Sequence, residues 1–554
     1  MKEFFSNLWE SISGVFQVGA GVLGCAFGCL LQLLGIGLVI WVWMAIKAFF
    51  NKLAFYWQDY TTGFLKMKQM RDAQSAEAVM NLDRYVSETP YQDYSLFLGK
   101  TERSGFADIV RMPGDYRTTH MYVIGASGSG KSSLLKNLII QDILNGMGIA
   151  VLDPHGDLVS DILPFLKKRM EHTVLLDLAD TEHMLPYNPL ERRPNVLVAE
   201  QVAKLILAFK RIWGDSWGPR MENILRCTLT LLIEQGYTLA DFEKVLTDAD
   251  FREMLLEESN DQLAIEYFRG RYNTWSSKER SMNTEAVLNK VTAFLADERI
   301  GARMSQKESA FNIKDLMDSG GILLVNLAKG RLAGNADLFG ALLMADIEMS
   351  FLSRQPNERR PFAIYADEFQ NIATESFDTV LAEARKFGIC LTIAHQSLKQ
   401  LDDQLVSLIL GNAQTQVFFR VSRQDAERLS KEAMNIVEQL YERDDHLIQE
   451  PEQKFTLNEM WEVAFHNLAT LQAREAFVTV KGVMEHPEKM RTLDNPREPA
   501  IKYPFDERYM SLAELRAGHL SDRGKLEKRI KGFNKRDDAD DSAPPADLDF
   551  IEEK

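Results

Sequence analysis

A parallel α/β sheet split by an all-α insertion is the fold that this 554-residue sequence predicts. Three observations carry the prediction. Seven short apolar runs end in turns and alternate with helix-like stretches: "HMYVIG" (120–125), "GIAVLD" (148–153), "TVLLDL" (173–178), "GILLVNL" (321–327), "FAIYADE" (362–368), "ICLTIAHQ" (389–396) and "QVFFRV" (416–421). Runs that are apolar throughout suit strands buried on both faces, the habit of parallel sheets. Between Arg192 and about Ser309 the strand signal vanishes, and apolar residues fall at helical spacing, as in "RMENILRCTLTLLIEQG" and "NKVTAFLADERI". Finally, a glycine-rich turn, "GASGSGKSS" (125–133), joins the first apolar run to the helical "SSLLKNLIIQDIL".

Taken in order, the chain opens on a different solvent. From Val15 to Phe50 the only charge is Lys47, and only Gln17 and Gln32 are strongly polar. That exceeds the ~20 apolar residues needed to cross a bilayer. One straight helix of this length would run roughly 54 Å, longer than a hydrocarbon core, so two short helices turning near Gln32–Gly37 fit somewhat better than one. Trp41 and Trp43 precede Lys47 and Lys52, with Lys66, Lys68 and Arg71 beyond. Aromatic residues followed by cations mark a cytoplasmic boundary, which places the bulk of the chain at the cell membrane with its large domain in the cytoplasm. The expected units are a membrane anchor (1–54), a linker (55–95), the first half of the α/β domain (96–191), the all-α insertion (192–309), the second half (310–450), a C-terminal α/β extension (451–530) and a tail (531–554). The tail, "DDADDSAPPADLDFIEEK" after the basic "RGKLEKRIKGFNKR", carries like charges and Pro and predicts disorder.

Composition is that of a globular chain, 45% apolar and 26% charged, with a net charge of −16. That balance excludes a general basic coat for nucleic acid, so any such contact must be a local patch or a lined channel. The four cysteines, Cys25, Cys29, Cys227 and Cys390, form no CxxC pair, which points to a reduced compartment without structural zinc.

Gly125, Gly130, Lys131 and Ser132 satisfy G-x4-G-K-[ST], a pattern that a chain this long meets by chance about 2% of the time. Its setting, strand then loop then helix, is the one the chemistry needs. Glycines let backbone N–H groups turn onto phosphates, and the helix N-terminus adds partial positive charge. Gly125, Ala126, Ser127, Gly128, Ser129, Gly130, Lys131, Ser132 and Ser133 are therefore the expected ATP cradle, with Lys131 on the β and γ phosphates and Ser132 ligating Mg²⁺. "FAIYADE" supplies a second pole: Asp367 to hold the metal with Ser132, and Glu368 to polarise the attacking water. A glutamate beside that aspartate indicates hydrolysis.

Other residues admit two readings. In "LDPHGDL" (152–158), Asp153 falls at a carboxyl edge where α/β sheets bind ligands, but Asp-Pro-His-Gly is also a tight turn; His155 fits a turn better than catalysis, and His395 a structural part. Gln396, a neutral amide at a strand end, suits a γ-phosphate sensor. Arg385 and Lys386 in "EARKFG" (383–388) are either a solvated helix end or a source of positive charge for the transition state in an adjacent subunit.

In combination, "IGASGSGKSSLLKN", "VLDPHGDL", "PYNPLE" (186–191), "YADEFQNI" (365–372), "LAEARKFGICLTIAHQSLKQL" (381–401) and "ILGNAQTQVFFRV" (409–421) resemble the membrane-bound type IV coupling proteins of the TraG/TraD and TrwB kind, within the FtsK/HerA superfamily of DNA pumps. The resemblance spans roughly residues 96 to 430. It implies a RecA-like P-loop NTPase sheet, an ATP hydrolase acting as a DNA translocase, and a ring, expected to be a homo-hexamer. It also implies single- or double-stranded DNA in the ring pore, a relaxase or relaxosome as partner, and a type IV secretion channel as destination. By the same resemblance Arg385 is a trans-acting finger and Gln396 a γ-phosphate sensor. The near absence of a periplasmic loop departs from many members. Two other readings compete: a motor whose cargo is protein, and a membrane docking receptor whose nucleotide site is regulatory.

Overall fold

The computed structural model describes residues 94–103, 106–193, 195–373, 377–432, 457–484 and 486–516. The expected membrane anchor, nearly all of the linker and the tail lie outside the described residues. Among the described residues, no helix is long and apolar enough to cross a membrane.

Each of the seven apolar runs forms a strand of one sheet. Met121–Ile124 is β3, Gly148–Asp153 β4, Thr173–Asp177 β5, Ile322–Asn326 β6, Phe362–Ala366 β7, Ile389–His395 β8 and Thr415–Phe419 β9. They lie side by side in the order β9-β3-β8-β7-β4-β6-β5, every neighbouring pair parallel. Registers such as Val123 opposite both Ala394 and Val417 bring the carboxyl ends of the strands to a common edge. Their side chains alternate between two cores, Tyr122 and Ile124 in one, Met121 and Val123 in the other. Because both faces are covered, these strands could read as unbroken apolar runs.

Four further strands extend the sheet beyond β9. Leu96–Arg103 (β1) and Phe106–Met112 (β2) form a hairpin, and Glu475–Val480 (β10) and Glu488–Thr492 (β11) a second. The full order is β2-β1-β11-β10-β9-β3-β8-β7-β4-β6-β5, with β10 antiparallel to β9. Two strands of the expected C-terminal extension thus belong to the central sheet. Helix α1 (Lys131–Leu144) covers one face through Leu134, Leu135, Leu138 and Ile139.

The insertion is helical between β5 and β6. Its longest members are α2 (Val198–Trp213), α3 (Pro219–Glu234) and α4 (Ser277–Leu295). Helix α4 starts where the sequence carries S-x-x-E: Ser276 accepts from the Glu279 N–H while Glu279 reaches back to the Ser276 N–H at 2.9 Å, satisfying donors the first turn leaves open. The insertion rests on α5 (Gly334–Leu352), a helix apolar on nearly every side and buried from Leu338 to Phe351. Two ion pairs fasten it there, both at 2.5 Å: the buried Arg193 to Asp346, and the half-buried Lys204 to buried Glu348.

Candidate phosphate-binding site

The turn between β3 and α1 is pinned to both neighbours of its strand. The Gly125 N–H donates to the His395 carbonyl (3.3 Å), and the Ala126 N–H to the Arg420 carbonyl (2.8 Å). Gly128 and Gly130 take φ of 70° and 116°, a region where side chains are strained and glycine is not. At Gly130 space also forbids a side chain, since a Cβ would lie 2.9 Å from the Arg474 Cα. Ser127, Gly128 and Ser132 are exposed, Ser133 is half-buried, and Ser129 is buried. The buried Ser129 Oγ has no hydrogen-bond partner. Lys131 is buried, and its Nζ donates to the Gly125 carbonyl at 2.7 Å; burial lowers its pKa, against the charges of Asp367 and Glu368.

β8 separates β3 from β7, so the end of β7 reaches this turn across Gln396. Asp367 and Glu368 are both buried. Burial first, then the charge of Glu368, pushes the Asp367 carboxyl up to about 6. The Asp367 Oδ1 accepts from the Glu368 N–H at 2.9 Å. Glu368 adopts φ of 47°, a left-handed conformation that is uncommon for a residue with a Cβ and clusters at functional sites. One Glu368 oxygen accepts from the Gln396 amide and the other from the Gln370 amide at 2.5 Å. Lys131, Asp367, Glu368 and Gln396 therefore converge, although they come from three strand ends.

Asp153 lies at the same edge, but both of its oxygens are occupied locally. Oδ1 accepts from the His155 N–H (2.9 Å) and Oδ2 from the Val159 N–H (3.0 Å), so it caps the turn and the short helix Asp157–Ile162. His155 is exposed. His395 is buried between the Tyr122 hydroxyl (2.7 Å) and the Ser397 carbonyl (3.0 Å). Burial lowers its pKa to about 4, so it is neutral near pH 7 and serves packing.

Arg385 sits elsewhere. It is exposed on the single turn Ala384–Phe387, ahead of β8, whereas Gln396 follows β8. A seven-residue strand spans roughly 23 Å at 3.3 Å per residue, too far for an arginine to reach the turn of its own chain. The arginine-bearing turn is held by two residues that sequence reasoning did not select: Arg354 donates to the Phe387 carbonyl (3.0 Å), and Arg359 to the Lys386 carbonyl (2.9 Å). Buried Arg354 also pairs with Asp318 at 2.6 Å. Sequence reasoning equally passed over Gln370 and Arg474. The Arg474 N–H donates to the Ser129 carbonyl at 2.7 Å, so the residue just before β10 clamps the glycine-rich turn. A backbone contact of that kind leaves no signature in residue type.

A family model described as the type IV secretion-system coupling protein DNA-binding domain matches residues 104–439, more than half of the chain. The chain belongs to this family. The coupling-protein architecture is matched by the bacterial conjugative coupling protein TrwBdeltaN70 in its unbound monoclinic form, at 19% identity and a TM-score of 0.50, over 73% of this chain and 91% of that one. TrwB in complex with ADP and Mg²⁺ aligns at 18% identity and a TM-score of 0.49, over 75% and 98%. VirB4 of Thermoanaerobacter pseudethanolicus aligns at 14% and 0.46, over 72% and 96%. At these identities the likeness is one of fold. No curated protein matches the chain.

Proposed function

We propose that this coupling-family chain is a membrane-anchored, ring-forming ATPase. In this reading it sits at the cytoplasmic membrane, faces the cytoplasm, and moves DNA with an attached relaxase to a type IV secretion channel. The single observation that carries the reading is the division of the site. Lys131, Asp367, Glu368 and Gln396 gather at one edge of the sheet, and the turn that carries Arg385 is hydrogen-bonded in place at the other. An arginine so placed serves catalysis only from a neighbouring subunit, an arrangement that a closed, head-to-tail ring supplies; a homo-hexamer is the expected size.

The residues present fit Mg²⁺ and ATP. Two left-handed glycines open backbone N–H groups at the start of α1, the buried Ser129 Oγ lacks a partner, and Asp367 sets a buried carboxyl within the electrostatic reach of Lys131. When bound, the magnesium ion supplies charge neutralisation across the phosphate oxygens. Ser132 and Asp367 would hold it. Lys131 leaves the Gly125 carbonyl to bind phosphate, and Glu368 orients the attacking water and accepts its proton. Gln396, already bonded to Glu368, joins phosphate position to the neighbouring subunit. The neighbour's Arg385 stabilises charge on the transferred group.

The test is ATP turnover of the detergent-purified chain with and without single-stranded DNA. Stimulation by DNA in ring-forming samples is expected, and turnover indifferent to DNA would overturn the pump reading. In cells, Lys131→Ala should abolish transfer at normal protein level; surviving transfer would favour a docking receptor.

A further inference from the structure

Glu368 is held at both of its carboxyl oxygens, and the two holders differ. The Gln396 amide reaches one oxygen from the end of β8, the strand that separates β7 from β3 and its glycine-rich turn. Gln370 reaches the other from the single turn Phe369–Asn371, with its Nε2 donating at 2.5 Å. One oxygen is thus bonded on the side of the phosphate turn, and the other on the side of the turn that follows β7. The Gln370 side is the anchored one. Phe369 is fully buried and meets the Phe377 ring at 4.3 Å. The Asn371 N–H donates to the Glu368 carbonyl at 3.0 Å, and the Asn371 Oδ1 accepts from Lys329 at 2.7 Å. Lys329 in turn pairs with Asp337 of α5 at 2.9 Å, so the segment after β6 and the start of α5 both brace this turn.

Gln396 is fastened by its main chain instead. The Gln400 Oε1 accepts from the N–H groups of Gln396 (3.0 Å) and Ser397 (2.9 Å), and among the described residues the Gln396 side chain bonds Glu368 alone. Its amide can therefore turn to a phosphate without disturbing the backbone that carries it. Gln370 shows a further sign. Its Oε1 is buried and has no hydrogen-bond partner among the described residues, an uncommon condition for a buried acceptor. Turning the amide over to serve that oxygen would set it against the carboxyl that Nε2 now holds. The orientation of the Gln370 side chain is thus set by Glu368.

We infer that Gln370 is a positioning residue for ATP hydrolysis: it holds the far oxygen of Glu368, so that the near oxygen stays aimed when Gln396 turns to phosphate. The inference rests on the reading of Glu368 as the group that orients the attacking water, and Gln370 acts through that glutamate. A loosened carboxyl would be costly, because misplacing a reacting group by about 1 Å can lower a rate ~100-fold. The test is ATP turnover by the full chain in detergent.

Gln370→Met keeps the length of the side chain and removes the donor. Its kcat should fall at least ~10-fold while KM for ATP stays within about 2-fold, because the phosphate contacts are untouched. Gln370→Glu, which puts an acceptor where the donor was, should be slower still. In a Glu368→Ala chain, adding Gln370→Met should cost nothing more in single turnovers, since the carboxyl that the amide holds is already gone. Wild-type kcat in Gln370→Met overturns the inference and leaves Glu368 in its role. Equal losses of kcat and of ATP affinity also overturn it, by showing that the amide supports the fold of the turn rather than the aim of the glutamate. A further loss on the Glu368→Ala background does the same. Wild-type turnover in Glu368→Ala, by contrast, removes the catalytic reading of Glu368 itself, and the inference falls with it.

Discussion

The carboxyl edge of the parallel sheet gathers Lys131, Asp367, Glu368 and Gln396 beside the glycine-rich turn, whereas the amino edge presents Arg385 with Arg354 and Arg359 behind it. One edge is rich in acids and bonded to itself. The other is rich in arginine and bonded to carbonyls. The difference follows from strand direction. In parallel strands every residue just after a strand falls at one edge and every residue just before falls at the opposite edge. Residues 125, 367 and 396 therefore meet, although far apart in sequence, and residue 385 cannot join them. In the proposed ring, the acidic edge of one copy and the arginine edge of the next are the complementary halves of one site.

That division is broken most directly by mixing. Arg385→Ala alone should lose turnover by about 10³–10⁵-fold, the range for such an arginine, while still binding ATP. Lys131→Ala alone should be equally inactive. Mixed before ring assembly, the two should recover measurable turnover, because an intact Lys131 in one copy meets an intact Arg385 in the next. A mixture no faster than either parent, in rings of normal size, would falsify the division.

Next in size is Glu368→Gln, which tests the acidic edge alone. Turnover should fall at least ~100-fold, as expected when a water-orienting group is lost, and ATP should stay bound through gel filtration. The Gln370 and Gln396 amides that bond Glu368 should hold the replacement amide in place. Rapid turnover would remove Glu368 from its role.

A buried cluster ties the start of β3 to α1 and β7, and breaking it should cost stability rather than chemistry. Arg117 lies before β3, Asp142 on α1 and Tyr365 on β7; Asp142 accepts from both others at 2.5 Å. Truncating Asp142→Ala leaves the Arg117 guanidinium buried and unpaired, which costs about 3–5 kcal/mol. Replacing both charges, Arg117→Met with Asp142→Leu, should recover most of that loss in denaturant midpoints. No recovery would show that the cluster contributes more than cancellation of charge.

Much of the parallel sheet could be read in advance because each of its strands is apolar on both faces, as in "GIAVLD" and "FAIYADE", and so was the glycine-rich turn, whose residue types are dictated by backbone angle. The flanking hairpins could not. β11 reads "EKMRT", with Met490 buried and Lys489 and Arg491 exposed, and one-faced strands with charges resemble loops. Arg354 was equally hidden. Besides Asp318, its partners include the Phe387 and Arg360 carbonyls, and every residue has a carbonyl. The contact of Arg474 with Ser129 is main chain to main chain, so residue type never showed it.

The smallest expected effect sharpens the comparison with one buried histidine from each edge. His120 precedes β3, where its Nδ1 accepts from the Leu391 N–H at 3.3 Å; His395 closes β8 at the opposite edge. Burial lowers both to about 4, and the charge of Arg385 adds to the effect at His120 alone. In the unfolded chain each titrates near ~6.5. The unfolded state therefore takes up protons that the native state refuses, and native stability must decline as pH falls from about 6.5 toward 4. Between pH 7.5 and 5 each imidazole should account for about 2 kcal/mol of that decline. Denaturant midpoints over this range should fall less steeply in His120→Asn and in His395→Asn than in wild type, whatever each substitution does at neutral pH. Arg385→Ala should flatten the slope slightly, because His120 loses a cationic neighbour, and combining it with His120→Asn should add nothing further. A wild-type slope in either histidine variant would mean that imidazole is protonated in the native state. An Arg385 effect that survives without His120 would mean that the exposed arginine acts on another group.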